Sequence, residues 1–435
     1  MTNINRAIPP KIQPIEAFSM AKPRQEELPN GIPVFYFDNP YLDLIHILLQ
    51  VRTGSMDQPE KHVCNFAFSL LRESSARFSS QEMSEKLDYY GTNVTVNVGL
   101  ECVQIMISVP KNNLSEILPL VADFITFPEY RTENLHIMQD KEIKNLAYNT
   151  QKTDYCSWRI MWREMLGGLF PSVSEYASVE TIKALTTNKL KEFHQRSFCA
   201  ENVTIFVTGN TDPQIDEHIR KAWTAIPHGI PSPALPEIPT TVNSGQLYYE
   251  PMPNVMQSSI VLCSLSTGYN DDDRTAFSVL NTLTGGYFSS RLMQNLRERL
   301  GLTYGVSSSS TYFGNQSIFA INSDVNADRT QEALDACFEE LQRLQSEMVS
   351  DEELTMVKNY MSGIQLRAAD TTVNAMQKFA YWHRFGLNET EMFRYLSDIK
   401  KVTPEEICHI AKKYFSYNKF TRIVVGYYLA NEKNE

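Results

Sequence analysis

The chain has 435 residues, 42% apolar and 21% charged, with a formal net charge of −11. That length exceeds a single compact core and predicts two or more domains; the apolar content is enough to build them without a metal or a disulfide. The acidic balance argues against a nucleic-acid-binding protein, which would carry a basic stripe. It reads as a solubility device, with attraction of basic peptides as the second reading.

Met1 to Pro29 is polar and carries several Pro; it lacks the apolar core of a signal peptide. No run of about 18 apolar residues occurs, so no membrane span is expected. The seven Cys (64, 102, 156, 199, 263, 337 and 408) form no CxxC and sit mostly in apolar stretches. They read as buried thiols of a reducing compartment, which makes a cytoplasmic protein the default.

Apolar and β-branched residues predict strands at Ile32–Phe37 and Leu42–Val51. A helix follows near His62–Arg72, and another over Ser80–Tyr90, opened by a Ser cap and stopped by Gly91. Partial alternation predicts strands at Asn93–Val98 and Glu101–Val109. Helices come next at Leu114–Ile125, Glu133–Tyr148, Tyr155–Leu166 and Asn188–Ser197, and Asn202–Thr208 closes the half as a strand. The segment from Ile226 to Gly245 has five Pro and two Gly in twenty residues, so it reads as a linker, stiff enough for a semi-rigid hinge.

The same order then recurs. Strands are expected at Leu247–Tyr249 and Ser258–Leu265, helices at Asp271–Leu283 and Ser290–Leu300, and strands at Tyr304–Thr311 and Ser317–Ser323. Helices fill Arg329–Glu347, Asp351–Arg367, Val373–Phe385, Glu389–Ile399 and Pro404–Tyr414; Thr421–Tyr427 is the closing strand. At an offset of 210, Ser79/Ser289, Ser80/Ser290, Met83/Met293 and Gly91/Gly301 are identical. The chain therefore reads as a duplication. Residues 1–225 form one half, 226–245 the linker and 246–435 the other half, of an α+β class.

RTGSMDQPE, SSQEMSEKLDYYGT and GGYFSSRLMQNLRERLGLTYGVSSSS, together with the duplicated layout, resemble the insulinase/pitrilysin metallopeptidases and the mitochondrial processing peptidases. The resemblance spans nearly the whole chain. It implies two homologous halves, each a mainly antiparallel sheet with helices packed on one side, together forming a bowl or clamshell.

Active members carry His-x-x-Glu-His on the first helix. Two His four apart share a helix face and reach one zinc ion, and the Glu is general base for its bound water. Anchored on SSQEMSEKL, that motif falls here on Asn65, Phe68 and Ser69. An amide and a hydroxyl are not ordinary zinc ligands, and Phe cannot take a proton. Glu142 stands 73 residues after Ser69, where the family's distal ligand falls; it reads more readily as an ordinary helix carboxylate. No two His are spaced three or four apart. His62, His383 and His409 read as lone structural or solvated residues. No G-x-S-x-G elbow or GxxxxGK loop is present, and GGYFSS reads as a helix entry.

Arg297 and Tyr304 stand seven apart, as an Arg and a Tyr do in the family. The resemblance implies that they hold the substrate carbonyl and the developing oxyanion. Taken singly, Arg297 reads as a solvated helix residue and Tyr304 as core. Two functions follow as expectations. One is a zinc-less subunit, inactive alone, that lends Arg297 and Tyr304 to a His-x-x-Glu-His homologue holding the zinc, the pair acting on peptides. The other is a non-catalytic scaffold or peptide-binding protein on the same fold, self-associating as a homodimer. Neither involves a nucleic acid or a membrane.

Overall fold

The computed structural model describes residues 20–174, 176–239 and 244–428. Most of the N-terminal segment that reads as polar and Pro-containing, and residues 240–243 of the linker, lie outside them.

Eleven strands make up two sheets among these residues. The first half contributes β1 (Arg24–Glu27), β2 (Pro33–Asp38), β3 (Leu44–Val51), β4 (Asn93–Val98), β5 (Val103–Pro110) and β6 (Val203–Gly209). They lie in the order β1-β2-β6-β3-β5-β4. The second half contributes β7 (Leu247–Pro251), β8 (Gln257–Ser266), β9 (Thr303–Phe313), β10 (Gln316–Asn326) and β11 (Thr421–Gly426), in the order β7-β11-β8-β10-β9. Leaving β1 aside, the orders are the same. In each sheet the closing strand pairs parallel with the opening one, β6 with β2 and β11 with β7, and every other pairing is antiparallel.

The residues that match at an offset of 210 occupy equivalent places. Ser79 caps the helix Ser80–Tyr89 through a capping box with Glu82. Met83 and Met293 are both buried. Gly91 and Gly301 end their helical segments at φ 60° and 61°, a left-handed conformation that costs Gly little and a residue with a Cβ more.

Both faces of the central strands of each sheet are buried, and the strand pattern shows why. Along β8 and β11, Ile260, Leu262 and Val424 face one core while Val261, Cys263, Ile423 and Val425 face another. Successive side chains point to opposite faces, so a continuous apolar run fits a strand covered twice. One cover is the half's own set of helices. The other comes from the opposite half. Helix Thr153–Leu166 of the first half packs on β8 and β11 through Cys156, Ile160 and Met161. Helix Thr372–His383 of the second half packs on β2, β3 and β6, with Phe379 against Phe35, Phe37 and Phe206. The halves thus exchange one helix each. This explains why β3, LIHILLQV, carries more apolar residues than a one-sided strand needs.

The Pro-rich connection is tied to both halves. Ser232 N–H donates to Asn202 Oδ1 at 2.8 Å, and Ile238 exchanges two hydrogen bonds with the Gln316 side chain at 2.6 and 2.7 Å. Ile238 is itself buried between the halves. A helix over Pro213–Trp223, with Asp212 as cap and Pro213 in its first turn, adds an element to the expected order.

Candidate functional site

The helix that aligns with the zinc motif spans Val63–Ser69 and continues as a short turn, Leu71–Glu73. Its N-terminus is held by Gln58, whose Oε1 accepts the Cys64 N–H at 3.2 Å while its Nε2 donates to the Ser172 carbonyl. Near its other end, the Tyr130 hydroxyl donates to the Ala67 carbonyl at 2.9 Å. Asn65 and Ser69 are both exposed and, four apart, share one face. Phe68 is turned away from that face. It is fully buried, edge-on to Phe193 and against the His194 ring at 5.5 Å.

Glu142 lies on the helix Thr132–Asn149 and faces His62, with Oε1 4.0 Å from the ring Nδ1. His62 therefore has a carboxylate neighbour, beyond hydrogen-bond distance, which its isolation in the sequence did not suggest. It stands immediately before the motif helix at φ 71°, one of two non-Gly residues with positive φ among those described. Its Nε2 is buried without a hydrogen-bond partner. Burial, reinforced by the charge of Lys61, pushes its pKa down to about 4, so the ring is neutral near pH 7.

The donor set does not fit a zinc ion. The two ligand positions carry an amide and a hydroxyl, and the base position a phenyl ring buried in the core. Among the described residues no group of three His, Cys, Asp or Glu is placed to hold a metal. The motif face, as built, can offer hydrogen bonds from Asn65 and Ser69 but neither a Lewis acid nor a base.

Arg297 and Tyr304 lie in the second half, and neither hydrogen-bonds the motif helix among the described residues. Arg297 sits in a π-helical segment, Met293–Arg299, marked by the Leu300 N–H reaching back to the Asn295 carbonyl at 2.9 Å. Such segments are rare and recur at functional sites. Its guanidinium lies 4.9 Å from the Phe288 ring centroid and engages no carboxylate among the described residues. Tyr304 opens β9 and is 88% exposed. It is therefore not a core residue.

All seven Cys are buried and unpaired, and no helix among the described residues is long and apolar enough to cross a membrane.

Comparison with known proteins follows this geometry. Residues 184–361 match the model of the peptidase M16 inactive domain. An uncharacterized zinc protease of Streptomyces coelicolor is 20% identical over 396 residues, covering 89% of this chain and 86% of that protein. One of Rickettsia felis is 22% identical, covering 92% and 96%. The crystal structure of a peptidase M16 inactive domain from Pseudomonas fluorescens superposes with a TM-score of 0.85 at 20% identity, over 95% of this chain and all of that one. A protease from Helicobacter pylori gives 0.83 at 15% identity, over 93% of this chain. The chain resembles the M16 peptidases in sequence and shares their fold.

The motif helix of this chain keeps part of what the zinc motif needs. The backbone and its supports, Gln58 and Tyr130, are in place, and the metal-binding side chains are not. Two signals were invisible in the sequence. The His62–Glu142 approach joins residues 80 apart, and His194 meets Phe68 across 126.

Proposed function

We propose that this M16-like protein is the zinc-less subunit of a heteromeric metalloendopeptidase acting on peptides or unfolded chains. A homologue with His-x-x-Glu-His holds the zinc, and this chain supplies Arg297 and Tyr304 to position the substrate carbonyl. The observation that carries the reading is the uncommitted state of that pair. Tyr304 is 88% exposed, and the Arg297 guanidinium rests on a ring rather than on a carboxylate. A structural Tyr is ordinarily buried and a structural Arg paired. Two free donors seven residues apart suit an oxyanion that forms only when substrate and partner arrive.

The sheets suit the same role. β4 and β9 are edge strands, and an open edge can take an extended peptide through main-chain hydrogen bonds with little sequence preference.

The test is peptide hydrolysis and zinc content, measured on the purified chain, on a His-x-x-Glu-His homologue, and on the two mixed. Cleavage that needs both chains, with zinc only in the homologue, supports the proposal. Self-association with no effect on any such homologue favours the scaffold reading instead.

A further inference from the structure

The second half contains a cavity of about 260 Å³ that shares no residue with the motif helix or with Arg297 and Tyr304. Tyr269, Tyr312 and Tyr381 contribute aromatic walls. Arg274 stands 4.4 Å from the Tyr269 ring centroid and is ion-paired with the buried Glu391. Lys378 and Gln365 complete the polar lining.

The polar groups do not balance. Glu391 is the carboxylate that faces Arg274, and Arg394 also donates to it at 2.7 Å. Lys378 is therefore left over. Its ammonium lies 5.4 Å from the Trp382 ring centroid and makes no hydrogen bond or ion pair among the described residues. Burial, followed by the charge of Arg274, holds its pKa below the usual lysine value. Gln365 Oε1 is also buried without a donor. One orphaned amide oxygen and one ammonium without a counter-ion, both lining the same aromatic cavity, describe a site waiting for complementary groups.

The chemistry of those groups follows. A surplus ammonium wants an anion, and the planar form of a carboxylate fits beside it. The orphan amide oxygen wants an N–H. Tyr rings want an apolar or aromatic body, and the volume admits one ring. We propose that this cavity binds a single-ring α-carboxylate with an adjacent N–H. That chemistry belongs equally to a free aromatic amino acid and to the C-terminal residue of a short peptide. Lys378 pairs with the carboxylate, Gln365 accepts from the N–H, and the tyrosines hold the ring. The site is independent of the subunit role proposed above.

Titration calorimetry with N-acetyl-phenylalanine and with N-acetyl-phenylalanine amide tests it on the full chain. The acid is expected to bind in the micromolar to millimolar range and the amide at least tenfold more weakly. Lys378→Gln should weaken the acid at least tenfold, and Gln365→Leu severalfold, with the circular dichroism of the wild type kept. Free phenylalanine and a tetrapeptide ending in phenylalanine separate the two sources. No binding of any probe at millimolar concentration overturns the proposal. So does equal affinity for acid and amide, or full affinity in a folded Lys378→Gln variant. If that variant fails to fold, the acid-against-amide comparison on the wild type decides.

Discussion

Glu101 of the first half and Arg384 of the second form an ion pair with a 3.1 Å hydrogen bond, and the Glu101 carboxylate also accepts the Gly314 N–H at 2.7 Å. Glu101 sits in the β4–β5 turn and Gly314 in the β9–β10 turn, so one carboxylate clasps the tips of the two hairpins. Both members of the ion pair are about four-fifths buried. Removing one leaves the other partly desolvated. Glu101→Ala is expected to cost about 1–3 kcal/mol. It should also raise hydrogen exchange around residues 99–102 and 312–316 before it affects the strand cores. Unchanged exchange there would mean that the exchanged helices alone fix the halves.

The motif helix makes an asymmetric prediction. Asn65→His and Ser69→His place their side chains on an exposed face, and each should change stability by no more than about 0.5 kcal/mol. Phe68→Glu buries a carboxylate where a ring packs against Phe193 and His194. It should cost about 4 kcal/mol or more. Urea denaturation of the three variants checks this. A mild effect at Phe68 would show that the side chain can swing to the exposed face.

Arg297→Ala and Tyr304→Phe separate function from structure. Arg297 pairs with no carboxylate among the described residues and Tyr304 is exposed, so each variant should keep its unfolding midpoint. If they position an oxyanion, each should lower the rate of the mixed two-chain enzyme by roughly 10²-fold. An unchanged rate with both variants would remove the positioning role.

Two buried histidines set an acid limit. Burial pushes His194 down to about 3 and His62 to about 4, against about 6.5 in an unfolded chain. Below pH 6.5 the unfolded state therefore binds more protons, and the stability these rings contribute is lost as pH falls through that window. Asp57 acts the other way. Burial raises it to about 6, so between about pH 4 and 6 it offsets one of the two rings. The net expectation is a stability that declines as pH falls from about 6.5. Across pH 5–7 the slope should drop by about 1 kcal/mol per pH unit in His194→Phe, approaching about 1.4 at the acid end. Urea midpoints of both proteins across pH 5–7 measure it, and equal slopes would mean that His194 is not neutral in the fold.

Much was legible in the residues because it depends on local periodicity. The capped helix after Ser79, the strand at 93–98, and the helices at 351–367 and 404–414 were fixed by alternation, caps and Gly stops within a few residues. The duplication followed from identities at one offset. The expectation that Asn65, Phe68 and Ser69 hold no zinc came instead from the resemblance, through the anchor at SSQEMSEKL. What the sequence could not decide was which distant groups meet. That each half lends a helix to the other's sheet, that Glu142 faces His62, that Phe68 is core while its neighbours at 65 and 69 are exposed, and that Lys378 and Gln365 share a cavity are all products of packing. Those relations depend on contacts between residues far apart in the chain, and no local pattern encodes a contact whose two sides are joined only by folding.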